Sequence, residues 1–283
     1  MKTAPDTSAS MYEVRPGQSI ELLKELHILT RDGKMNQDSR RKLKQIYHLM
    51  QFIEPLLQEI APQRPAIQLV DHGAGKSYLG FILYDMFIKA AHPGGHIYGI
   101  ERRAELVDKS RELAARLEFP GMTFLNLSVA ESIESALLPD KPDIVTALHA
   151  CDTATDDAIA FALQKCAENI VLVPCCQAEI AATLRKNKSQ AIAGSALSEL
   201  WRHPLHTREF GSHVTNVLRC LQLEAHGYQV TVTELVGWEH SLKNELIIAR
   251  YKNLPRQRPA ARLQEMLKML GLEEMQHRFF TPA

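Results

Sequence analysis

Short apolar runs that alternate with helical stretches through the middle of the chain constrain its fold most. Strand character is read at Ile67 to Val70, His96 to Ile100, Thr123 to Leu127, Ile144 to Leu148 and Ile170 to Val173. Between them, helices are expected at Ser77 to Ala91, Ala104 to Leu117 and Thr155 to Lys165, with a short helix after the third strand. The strand runs are apolar along nearly their whole length, as parallel strands covered on both faces must be. Strand and helix in strict alternation is the pattern of a doubly wound α/β sheet. After a long polar and helical stretch, Gln229 to Val236 and Glu245 to Arg250 add two more strands. The chain shows no internal repeat.

The first strand breaks into Asp71-His72-Gly73-Ala74-Gly75-Lys76-Ser77-Tyr78-Leu79-Gly80. This reads as a strand, a tight turn and a helix N-terminus, a common place to hold a nucleotide-like ligand. Two nucleotide signatures are excluded by counting. A Walker A loop needs a glycine where this chain has Val70, and a dinucleotide fingerprint needs a third glycine where it has Tyr78. Asp71, placed ahead of the glycines, suits a ligand with a cationic or amino-acid portion. Ser77 is expected to cap the helix that follows. Past a His92-Pro93-Gly94-Gly95 turn, the second strand ends at Glu101, where a carboxylate can accept hydrogen bonds from both hydroxyls of a ribose. The alternative is a solvated acid that merely opens the Glu101-Arg102-Arg103 charge run.

These residues resemble the first motif of the class I S-adenosylmethionine-dependent methyltransferases, in which backbone at the glycines approaches the cofactor because no Cβ intervenes. The resemblance implies an α/β, Rossmann-like fold: a mostly parallel seven-stranded sheet with helices on both faces, closed by an antiparallel final strand. It also implies S-adenosyl-L-methionine as cofactor, held by Asp71, Gly73, Gly75 and Glu101. Ser128 and Val129 at the end of the third strand are expected to meet the adenine, and His149 to lie beside the cofactor.

Composition narrows the remaining classes. A chain of 283 residues with 45% hydrophobic content buries one sizeable core plus an appendage. Lys plus Arg equals Asp plus Glu at 33 each, so any claim to nucleic acid must rest on local patches. No apolar run approaches the roughly 20 residues that span a bilayer, and Met1 to Pro5 leads into polar sequence without a signal-peptide core. Cytoplasmic localisation without membrane attachment is expected, and the five cysteines fit a reduced compartment better than a disulfide framework. Oligomeric state is not legible. The organisation reads as an N-terminal helical extension (1–60), a methyltransferase domain (61–252) and a tail with a short helix at Ala261 to Leu270 (253–283).

In the extension, Asn36 or Asp38 caps a helix whose Leu43, Ile46, Tyr47, Met50, Ile53 and Leu57 form one apolar face. Pro55 is expected to kink or interrupt it. Arg40, Arg41, Lys42 and Lys44 load its first turns, either as a solvated end of a packing helix or as contacts for an RNA backbone.

Two further stretches carry chemistry. The fourth strand leads into Leu148-His149-Ala150-Cys151-Asp152-Thr153-Ala154-Thr155-Asp156 and the fifth into Pro174-Cys175-Cys176-Gln177. Both follow carboxyl ends of strands, the edge where ligands bind in open α/β sheets. With the Asp-x-Gly-Ala-Gly-Lys loop, these elements resemble the methyltransferase-domain family that includes the methyltransferase-like 25 group and the glutathione S-transferase C-terminal-domain-containing proteins, over roughly residues 35 to 252. The usual glycine after the loop lysine is Ser77 here.

His149 is a candidate base for an acceptor proton or a link to a neighbouring loop, and Asp152 an orienting acceptor or a helix cap. Cys151 and Cys175 or Cys176 stand where RNA cytosine-C5 methyltransferases place their thiols, although the flanking proline and acid of those enzymes are missing. Zinc is not expected, because the thiols show no paired Cys-x-x-Cys spacing. The candidate catalytic set is therefore His149, Cys151, Asp152 and Cys176. Residues 177–216 read as a substrate-recognition insert, in which Trp201 stands among Arg185, Lys186, Lys188, Arg202, His203, His206, Arg208 and His213 as a stacking platform or as plain cover. RNA leads as substrate class for Arg40, Arg41, Lys44 and Trp201. A small molecule, a protein side chain, or a non-catalytic cofactor-binding module are the alternatives.

Overall fold

The computed structural model describes residues 14–148, 153–174, 178–186, 199–200, 202–235 and 245–282. Seven strands follow the order β3-β2-β1-β4-β5-β7-β6: β1 (Gln68–His72), β2 (His96–Ile100), β3 (Met122–Leu125), β4 (Ile144–Ala147), β5 (Asn169–Leu172), β6 (Tyr228–Glu234) and β7 (Glu245–Tyr251). β1, β2 and β3 run parallel to one another, as do β4 and β5. β7 is antiparallel to both β5 and β6. This is the doubly wound, mostly parallel sheet expected from the alternation, in the Rossmann-like form that the resemblance implied. The chain forms two compact units, residues 1–126 and 127–283.

In the first unit, α1 (Ile20–Glu25) and α2 (Gln37–Ile60) precede the strands. Asn36 caps α2 by accepting the Ser39 N–H at 2.8 Å, and Leu43, Ile46, Met50, Ile53 and Leu57 are buried along one stripe. Of the two effects expected of Pro55, a kink or a break, the helix shows no break. A proline inside a helix costs about 3 kcal/mol, but Leu56, Leu57 and Ile60 bury their side chains just beyond it and hold the last turns in place.

After β1, the helix α3 (Tyr78–Leu83) passes through a π turn at Tyr84–Ile88 before a final turn at Lys89–Ala91. Nothing in the local sequence signals the π turn. Within it, the Asp85 carboxylate accepts the Ser19 N–H at 2.7 Å and Tyr84 Oη accepts the Gly121 N–H at 3.0 Å, fastening the start of α1 and the approach to β3. Ser77 stands at the N-cap position, as expected, and its carbonyl accepts the Phe81 N–H at 2.9 Å, but its side chain does not cap. Its backbone is left-handed at φ 51, so its hydroxyl makes no capping bond and lies buried instead. α4 (Ala104–Arg116) returns the chain to β3.

The second unit contains α5 (Val129–Glu134), α6 (Thr153–Gln164), α7 (Glu179–Lys186), α8 (Pro204–Ala225) and α9 (Gln257–Met269). The C-terminal segment packs locally: Leu263, Leu267, Leu272 and Phe279 share a buried cluster with Ile180 and Leu184 of α7 and Val214 and Leu218 of α8. Gly211 permits this, since a Cβ there would stand 2.7 Å from the Ala181 Cβ. α8 is tied to α6 by a buried fork, in which Arg219 Nε and Nη2 donate to the Asp156 carboxylate at 2.6 and 3.0 Å. Among the described residues no helix is long and apolar enough to cross a membrane, and no His, Cys, Asp and Glu cluster could hold a metal.

Candidate functional site

Parallel pairing sets Asp71 against Gly99 and His72 against Ile100, so β1 and β2 end together. The chain then turns through Gly73 at φ 70 and Gly75 at φ 59, left-handed conformations that side chains with a Cβ rarely adopt. The Ala74 N–H donates to the Ile100 carbonyl at 2.9 Å, and the Ser77 N–H to the Ala74 carbonyl at 2.7 Å. The turn is thus stitched to the end of β2.

Glu101 is the centre of this arrangement. It is only 9% exposed, so it is neither of the extremes that sequence allowed: it belongs to a charge run, yet it is not solvated. Its Oε2 accepts the Gly75 N–H at 2.9 Å and Arg103 Nη2 at 3.1 Å, and its Oε1 accepts the Arg103 N–H and Arg103 Nε, each at 3.0 Å. Burial would raise its pKa, but the hydrogen bonds and charge of Arg103, with the Gly75 N–H, outweigh it and hold the carboxyl below the usual range. Asn126 Nδ2 donates to the Glu101 carbonyl at 3.0 Å, fixing the strand end from the β3 side.

Asp71 and His72 are buried beneath the turn. Burial pulls the His72 pKa down to about 4, against a weaker opposing pull from the Glu101 charge, so the imidazole is neutral near pH 7.

Asp71, Gly73, Gly75 and Glu101 are accordingly brought together at one strand edge. Ser128 and Val129 lie in the other unit. Ser128 caps α5 with a reciprocal box, its N–H donating to Glu131 Oε2 at 2.7 Å, and Val129 is the first residue of that helix. His149, Cys151, Asp152, Cys175, Cys176 and Trp201 lie outside the described residues.

Arg40, Arg41, Lys42 and Lys44 are exposed on the first turns of α2. Lys42 is held 2.8 Å from Asp38 Oδ2. That pairing raises the Lys42 pKa, with a smaller contribution from Tyr78. Tyr78 in turn lines a groove of about 300 Å³ together with Lys76, Lys109, Ser110, Glu112 and Arg116. Arg116 is neutralised there by Glu25 at 2.5 Å, so Lys76 and Lys109 carry the cationic character against Glu112.

Three parts of this site are not visible in the sequence alone. Arg103 reads there as part of a charge run, although its place two residues beyond Glu101 lets one side chain fold back on the same carboxylate. Asn126 and the groove of Lys76, Tyr78 and Lys109 leave no local signal, because they are assembled by β3 and α4 folding onto the turn.

The sheet is Rossmann-like, and the family match makes the chain a methyltransferase of that class. The chain matches the model of a family described as methyltransferase domain over residues 41–183, half of its length, and it belongs to that family. Three solved structures illustrate the likeness. Magnesium protoporphyrin IX methyltransferase from Synechocystis PCC 6803, with bound SAH, is 15% identical at TM-score 0.42, covering 82% of this chain and 95% of that one. Precorrin-6y C5,15-methyltransferase from Geobacter metallireducens GS-15 is 18% identical at TM-score 0.38, with 66% and 80% covered. The fibrillarin pre-rRNA processing protein of Methanococcus jannaschii is 11% identical at TM-score 0.41, with 67% and 68% covered. No curated protein matches the chain.

Proposed function

We propose that this protein transfers a methyl group from S-adenosylmethionine to RNA. The observation that carries the cofactor assignment is the glycine turn, with φ 70 at Gly73 and φ 59 at Gly75, fastened to a buried, ionised Glu101. These residues fit the cofactor's chemistry. Asp71 offers a carboxylate to an amino-acid portion, Glu101 accepts ribose hydroxyls, and the glycines leave backbone uncovered for close approach. The cofactor supplies an electrophilic sulfonium methyl. The chain's own work is to align the acceptor in line with that methyl and to remove its proton.

His149 is the base in this reading, and Asp152, Cys151 and Cys176 border the acceptor after β4 and β5. Replacing each by Ala leaves cofactor affinity near wild type and lowers turnover, because groups acting in the transition state affect rate more than ground-state binding. Kinship with the methyltransferase-like 25 group rests on the Leu148 to Asp156 and Pro174 to Cys176 elements. The reading places the protein in the cytoplasm.

RNA is favoured as acceptor by two basic features: Lys76 and Lys109 with Tyr78 in a groove beside the turn, and the exposed Arg41 and Lys44 on α2. Cations around an aromatic ring suit a phosphate backbone with a stacked base. Ser128 and Val129 toward the adenine, and Trp201 as a second stacking platform, complete the proposed set. The test is methyl transfer from labelled cofactor to total RNA, with RNA binding measured over a salt series. Replacing Arg41, Lys44, Lys76 and Lys109 together by Gln should reduce the logarithmic salt slope by about 0.7 for each phosphate no longer neutralised on single strands, or ~0.9 on duplex. An unchanged slope overturns RNA docking on this face. Label in protein or small metabolites would move the acceptor to those classes, and absence of label from every fraction would leave a binding module.

A further inference from the structure

Among the described residues, four N–H donors reach the Glu101 carboxylate, two to each oxygen. Backbone supplies one on each side, from Gly75 to Oε2 and from Arg103 to Oε1. The Arg103 guanidinium supplies the other two, Nη2 to Oε2 and Nε to Oε1, at 3.1 and 3.0 Å. A carboxylate offers about four lone-pair positions, so this one is saturated. A ribose diol that donates to both of its oxygens needs two of those positions.

The backbone donors are fixed in place, Gly75 by the glycine turn and Arg103 by the start of α4, whereas the guanidinium can leave. The Arg103 side chain is 61% exposed against 10% for that of Glu101, so its outer end is free to swing into solvent. It also lies over the glycine turn itself, since a Cβ placed on Gly75 would stand 3.9 Å from Nη2. We infer that Arg103 is a guard of the cofactor site: its guanidinium fork occupies the two diol positions on Glu101 and exchanges one-for-one with the two ribose hydroxyls. This rests on the reading of Glu101 as the ribose acceptor.

The exchange has a definite sign. Cofactor binding in the wild type breaks a two-bonded ion pair, and removal of the guanidinium removes that opposition. With its guanidinium end 61% exposed and screened by water, the pair is expected to contribute about a factor of five to an equilibrium. S-adenosylhomocysteine should therefore bind Arg103→Met about two- to fivefold more tightly than wild type. The gain should vanish when Glu101→Gln is the background, because the fork is then no longer drawn to that position.

Calorimetry on the full chain reads both arms, with circular dichroism melts confirming that the four proteins are folded. As an independent readout, the Arg103 Nε–H resonance, assigned by its loss in Arg103→Met, should move from a hydrogen-bonded to a solvent-exchanging position on adding S-adenosylhomocysteine. If wild type binds the ligand but Arg103→Met binds it equally or more weakly, or if its gain persists with Glu101→Gln, the guard is overturned while the cofactor reading stands. If folded wild type binds no S-adenosylhomocysteine, the cofactor reading fails and the guard with it.

Discussion

Arg219→Met should lower the thermal midpoint by roughly 10 °C. The Arg219 side chain is fully buried and that of Asp156 is 6% exposed, and their fork joins α8 to α6 at 2.6 and 3.0 Å. Arg219 Nη1 also donates to Asn216 Oδ1 at 3.1 Å, and Asn216 Nδ2 donates to Glu245 Oε2 at 2.8 Å, carrying the network to β7. Met fills the space of the arginine stem but leaves the Asp156 carboxylate uncompensated in the interior, a defect that costs about 3–5 kcal/mol. In a chain this size each kcal/mol moves the midpoint by about 2–4 °C. Adding Asp156→Leu to Arg219→Met should recover much of the loss, because an apolar pair removes the stranded charge. A melt by circular dichroism within about 2 °C of wild type for Arg219→Met would show that the pair does not hold these helices.

Gly73→Val should remove cofactor binding, by more than about 100-fold in Kd, while leaving the protein folded. At φ 70 a β-branched side chain is strained by about 1–3 kcal/mol, so the turn relaxes toward negative φ. That relaxation pulls on the Ala74 N–H bonded to Ile100 and on the Gly75 N–H bonded to Glu101, the two hydrogen bonds that shape the edge for a ligand. Gly73→Ala carries less strain and should weaken binding less. Calorimetry beside a thermal melt separates the two effects, and wild-type affinity in Gly73→Val would mean the turn does not touch the ligand.

The parts of this molecule that are legible in its sequence are those governed by local pattern. β2 is legible at its observed bounds, His96 to Ile100, because a Pro-Gly-Gly turn and an acid bracket an apolar run. The glycines of the turn are legible because left-handed backbone demands them. What is not legible depends on partners far away in the chain. Pro55 breaks no helix because the apolar face around it is buried, and the Ser77 hydroxyl makes no capping bond because the turn holds that residue in left-handed backbone. Arg219 looks in the sequence like one more charge on a polar helix, and only the approach of α6 makes it a core residue. The same holds at the site: Glu101 stands out in the sequence, whereas the guanidinium folded against it does not.

Titration of the folded wild-type protein with S-adenosylhomocysteine in a calorimeter tests the central claim most directly, since every role assigned to the turn at Gly73 and Gly75 and to Glu101 presupposes that ligand. The account predicts saturable binding at one site per chain, lost in Gly73→Val. A flat titration with both S-adenosylhomocysteine and S-adenosylmethionine, on protein shown by its melt to be folded, would contradict it.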